Sequence, residues 1–114
     1  MPASKINIQA ERNATFEKAF IWKNSKGRPF NLTGYTAKMQ IRATASASSP
    51  VLFEFSTENG RIVIVPASGR IELKADLSGT TFESGVYDLV LTTADGRKIR
   101  LIEGKFSVIA GVTV

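Results

Sequence analysis

The sequence contains no cysteine and no histidine. Without cysteine there is no disulfide, no thiolate metal ligand and no thiol nucleophile, and nothing that calls for an oxidising compartment. Without histidine, a Ser-His-Asp triad and histidine metal sites are excluded, as is the usual general base near neutral pH. Long hydrophobic runs are also missing, since the longest reach about four residues against the ~20 that span a bilayer. The opening residues Met1 to Ile8 lack a basic-then-apolar signal region, so a chain made in the cytoplasm, with no membrane segment, is expected. There is no Asp-x-Asp calcium loop and no Gly-rich phosphate loop, and no cofactor or metal is expected. Lys/Arg runs do not exceed two residues and carry no interleaved aromatics, which argues against a nucleic-acid partner.

What is present describes one globular domain. The 114 residues are 43% hydrophobic and 22% charged, with a net charge of +5, and no linker composition divides residues 1–114. A chain of this size can bury roughly two-thirds of its unfolded surface, enough for one ordinary core built by packing alone. The ten carboxylates include Glu54 and Glu72, each set among apolar neighbours at strand spacing, as on an exposed strand face. They do not suggest a paired-carboxylate hydrolytic site. The residue inventory therefore predicts a protein that is not an enzyme.

Period-two alternation dominates the chain and marks half-buried strands. Ile6 and Ile8 open the series, and Phe16, Phe20 and Trp22 share a face with Lys18 as the exception. Ala37, Met39 and Ile41 alternate with Lys38, Gln40 and Arg42. Val51, Phe53 and Phe55 form the next inward row, closed by the turn Glu58-Asn59-Gly60. Residues 62–65 are continuously apolar and suit a strand covered on both sides. Ile71, Leu73 and Ala75 follow, then a break at 76–85, then Tyr87, Leu89 and Leu91 with a hairpin signal at Ala94-Asp95-Gly96. In the last segment the apolar row changes parity, from Ile99 and Leu101 to Ile102, Phe106 and Val108, with Gly104 at the change. A β-bulge or a crossing between sheets would account for it, because one extra residue inverts every later side chain. The pattern predicts an all-β fold, a two-sheet antiparallel β-sandwich of Ig-like type with about seven or eight strands.

The stretch from Trp22 to Arg42, with Gly27-Arg28-Pro29 and Asn31-Leu32-Thr33-Gly34-Tyr35 ahead of an alternating strand, resembles the N-terminal domain of baseplate upper proteins of tailed bacteriophages and related short tail or fibre-attachment proteins. Gly85-Val86-Tyr87-Asp88-Leu89 and the closing Leu101 to Val108 agree with the same pattern, so the resemblance covers most of residues 6–109. Where the family has Asp before Leu-Thr-Gly, this chain has Asn31. Leu32, Thr33, Gly34 and Tyr35 also have a purely physical reading as a scaffold turn, with Leu32 as anchor and Gly34 free to take a positive φ.

The resemblance implies a non-enzymatic virion structural protein, a tail, baseplate or fibre-attachment adaptor whose partners are other virion proteins and further copies of itself. Two other classes stay open: a capsid (head) decoration protein, and a carbohydrate-binding module using Trp22, Tyr35 and Tyr87. If the chain works by assembly, the uncharged and β-branched end is the first candidate for strand addition to a neighbour, through Val112, Thr113 and Val114. The N-terminal segment around Ile6 and Ile8 is the next.

Overall fold

The computed structural model describes residues 4–46 and 48–110. Nine strands form among them: β1 (Ser4–Lys5), β2 (Ile8–Glu11), β3 (Thr15–Ile21), β4 (Thr36–Arg42), β5 (Val51–Ser56), β6 (Ile62–Val65), β7 (Arg70–Asp76), β8 (Ser84–Thr92) and β9 (Lys98–Ile109). They make two sheets. The larger runs β1-β9-β8-β4-β5, with β2 also on β9, and the smaller runs β3-β7-β6. The result is a β-sandwich with the Ig-like ordering of strands, including an additional strand beside β4.

The expected antiparallel sandwich needs two corrections. There are nine strands, and β1 and β2 pair with β9 in parallel, Ser4 opposite Ile102 and Ile8 opposite Phe106. The cause is burial. β8 already occupies one side of β9, so the chain start can place Ile8 and Ala10 in the core only along the other side of β9. Both are buried there.

The two inner faces meet over an aromatic cluster. Phe16 of the small sheet lies edge-on to Phe55 and Phe106 of the large one, with ring centroids 5.8 and 5.5 Å apart. Met39, Ile41, Leu89 and Leu91 fill the rest from the large sheet, and Ile71 and Leu73 from the small. At about 25 cal/mol per Å² of apolar surface removed from water, such rows supply the main stabilising term.

Two bulges set the parity of side chains. On β9, Leu89 faces Ile102 while the next residue, Val90, faces Arg100, so Leu101 is the extra residue. The parity change seen in the sequence is thus a bulge at Leu101. Gly104 serves another purpose: a Cβ there would overlap the Ile6 carbonyl oxygen, so only glycine lets the N-terminal segment cross at this point. On β5, Ile41 faces Phe53 and Arg42 faces Val51, which makes Leu52 the extra residue. Val51 is turned outward as a consequence and is 43% exposed, against the expectation that it joins Phe53 and Phe55.

Two further expectations change. Residues 62–65 are not covered on both sides: β6 is an edge strand, and only Ile62 and Ile64 point toward the core. Trp22, in line with the inward row, is only half-buried: it packs against the core from the rim, stacked on Phe30 with centroids 4.2 Å apart.

Candidate functional site

The scaffold turn at 31–35 is built as its residues dictate. The Asn31 side-chain oxygen accepts hydrogen bonds from the Thr33 backbone N–H at 3.0 Å and the Thr33 hydroxyl at 2.6 Å. Leu32 is buried, and its N–H donates to the Pro66 carbonyl. Gly34 takes φ +80°, and a Cβ there would press on Ala94. These contacts make the turn a clamp between the two sheets.

The N-terminal segment is committed to the domain itself. Ile6 packs on the core, its N–H donates to Glu103 and its carbonyl accepts the Tyr87 hydroxyl at 2.5 Å. Burial pushes the Tyr87 phenol up to about 12. The Asn7 side-chain oxygen accepts from the Lys105 N–H, satisfying the backbone where β1 gives way to β2. Ile8 is buried and Ile6 is half-buried against the core, so a partner would meet this segment through the outer backbone edge of β2. Val112, Thr113 and Val114 lie outside the described residues.

Of the aromatics singled out above for sugar stacking, Tyr35 is half-buried against the core. One face of Trp22 is covered by Phe30, and Tyr87 is buried with its ring against Phe106. Among the described residues, no three acidic side chains converge as metal ligands would.

What the domain presents outward falls into three surfaces. The first is the set of sheet edges. β2 and β3 lie side by side and flank an open groove of about 310 Å³ lined by Gln9, Glu11, Glu17 and Lys18. This opening explains Lys18, which sits in the inward row of β3 yet is exposed and holds its ammonium 5.6 Å from the Phe20 ring centre. β1, β5 and β6 form the other edges.

The second surface is the outer face of the large sheet, a shallow polar groove of about 640 Å³. Its charges are largely answered from within. Arg100 lies 3.3 Å from Asp88 and 3.8 Å from Glu103, and Arg42 donates to Gln40, which donates in turn to Glu54. At the neighbouring hairpin, the Thr93 hydroxyl donates to Asp95 and, with Arg97, holds that carboxyl below its usual range. Arg97 and Arg100 are thus paired with carboxylates while remaining largely exposed, a weakly stabilising arrangement.

The third surface is the outer face of the small sheet. The register sets Ile21, Arg70 and Val65 in one row and Ala19, Glu72 and Val63 in the next. Ile21 is 48% exposed, Val63 52% and Val65 38%. The uninterrupted apolar run at 62–65 is the one sequence signal of this patch, and a strand with two covers leaves the same signal.

No model of a known protein family matches the chain, and no curated protein does. Among solved structures, the chain is similar to the Drosophila OTK extracellular domains 3–5, at 14% identity and a TM-score of 0.40, over 90% of this chain and 33% of that one. The chain thus spans about a third of that structure. A likeness this distant says nothing about function.

Proposed function

We propose that the chain is a non-enzymatic virion structural protein of a tailed bacteriophage, a tail, baseplate or fibre-attachment adaptor that works by protein–protein assembly. The observation that carries this reading is the open sandwich. Among the described residues, β1, β2, β3, β5 and β6 are edges with no strand paired on their outer side. Such edges present unpaired backbone groups, which proteins either blunt or use to add a partner's strand. The resemblance of residues 22–42, 85–89 and 101–108 to phage tail and baseplate proteins supplies the setting.

The residues that carry the resemblance act as scaffold, so partner choice falls to the surfaces around them. Mass spectrometry with copy-number determination on purified particles, from the strain that produces the chain, tests the reading. A few copies per particle are expected for a tail or baseplate position. Hundreds would move the protein to the head, as a decoration protein, and absence from particles would overturn the virion reading.

A further inference from the structure

The outer face of the small sheet has a property that a solvated face does not need: it is complementary to itself. Two adjacent rows, Ile21-Arg70-Val65 and Ala19-Glu72-Val63, each carry one charge at the centre with apolar side chains on both flanks. The central charges are opposite in sign, and Arg70 Nε lies 2.7 Å from Glu72 Oε2 across the two-residue spacing of β7. Consider a second copy stacked face to face, with a two-fold axis lying in the interface, perpendicular to the strands and passing between the rows. Each row then falls on the other row of the partner. Arg70 meets the partner subunit's Glu72 and Glu72 meets the partner subunit's Arg70. Val65 lies over the partner's Val63, and Ile21 over the partner's Ala19.

A two-fold interface must be self-complementary in this way, and sheets that pack face to face with strands nearly aligned lie about 10 Å apart, the reach of such side chains. The flanking aliphatics match this geometry. Ile21 on one flank and Val63 and Val65 on the other, between 38% and 52% exposed, border the central ion pair.

We propose that this face pairs two copies of the chain, through Ala19, Ile21, Val63, Val65, Arg70 and Glu72. The biological sense of the pairing rests on the reading of the protein as an assembly domain, but the pairing itself is a property of the isolated chain. The patch is small beside the ~800 Å² per partner of a standard interface, so the dimer is a weak one, made effective where several copies are held together.

Charge reversal tests it without depending on any single variant's fold. In sedimentation velocity from about 10 µM to about 1 mM, the wild-type chain is expected to shift from monomer toward dimer. Arg70→Glu, which leaves two carboxylates in the patch, and Glu72→Arg, which leaves two guanidinium groups, are each expected to stay monomeric. Mixed in equal amounts they are expected to associate, because their patches are complementary to one another, and Val63→Lys is expected to abolish pairing in either background. Circular dichroism and melting of each variant check that the domain is folded. A wild-type chain that remains monomeric throughout, single variants that dimerise as the wild type does, or a mixture that fails to associate would overturn the pairing. None of those results bears on whether the chain is found in particles, which copy number in the virion decides separately.

Discussion

Tyr87 shows how much one residue can organise. Its ring packs against Phe106 in the core while its hydroxyl reaches the Ile6 carbonyl, so the same side chain fills space and fastens the N-terminal segment. Loss of one such hydrogen bond costs about 1 kcal/mol, and Tyr87→Phe is expected to lower stability by that order in urea titration. The phenol adds a pH signature. Its value is raised from 10.0 to about 12 in the folded protein, so the unfolded chain loses this proton first as the solution becomes alkaline. The stabilisation is complete below the unfolded value and is lost as pH climbs from 10 to 12. The difference in stability between wild type and Tyr87→Phe should therefore shrink across that window. A constant difference up to pH 12 would show that the phenol is not held neutral by burial.

Among single residues, Trp22 is the one where composition misleads most. A lone tryptophan in line with Phe16 and Phe20 invites assignment to the core. β3 ends at Ile21, however, and the chain turns away, so Trp22 meets Phe30 at the rim while its backbone bonds to Gly69 and Phe30. The hydrophobic pattern was visible along the chain, but the end of the strand depended on contacts with residues nearly fifty positions away.

At the scale of elements, β9 carries most of the architecture. It pairs with β8 along one side and with β1 and β2 along the other, so both sides of its backbone are occupied. Its bulge at Leu101 lets the sequence neighbours Leu101 and Ile102 both pack on the core, and Gly104 gives the crossing from β1 to β2 room to pass. Gly104→Ala is expected to displace that crossing, because its Cβ would meet backbone and not a pliable side chain. A loss of roughly 1–3 kcal/mol is expected, together with faster hydrogen exchange at Ile6 and Ile8 before any change in the middle of β8. Exchange unchanged at those amides would mean that the segment is held elsewhere.

β5 and β6 show the opposite use of strands. A bulge at Leu52 turns Val51 out, and the edge position of β6 leaves Val63 and Val65 in water. Apolar residues at these places add nothing to the core, which is why they bear on partners.

For the whole molecule, the two sheets are joined chiefly through rings. Phe55 is fully buried and within 5.8 Å of Phe16, 5.2 Å of Phe53 and 6.3 Å of Phe106 by ring centroids. Phe55→Ala removes the centre of that cluster, at an expected cost of about 3–5 kcal/mol. At a few degrees of Tm per kcal/mol in a domain of this size, calorimetry should register a fall of roughly 10–20 °C. Both sheets should still melt together, as one transition. Two separated transitions would mean that the sheets are not coupled through this core.

The class of the fold, most of the strands and the chemistry that is excluded are legible in the order of residues. Alternation at residues 36–42 and 86–92, the turn glycines at 60 and 96 with their positive φ, and the parity change near Leu101 are local signals, because side-chain direction along a strand repeats every two residues. The lack of histidine and cysteine is equally plain from the chain alone. Only the tertiary structure decided which sheet each strand joins, that the N-terminus pairs in parallel with β9 and so buries Ile8, and that β6 lies at an edge. Those outcomes depend on what stands beside a strand, and apolar residues at 62–65 look the same whether their outer face meets another layer, water or a second copy of the protein.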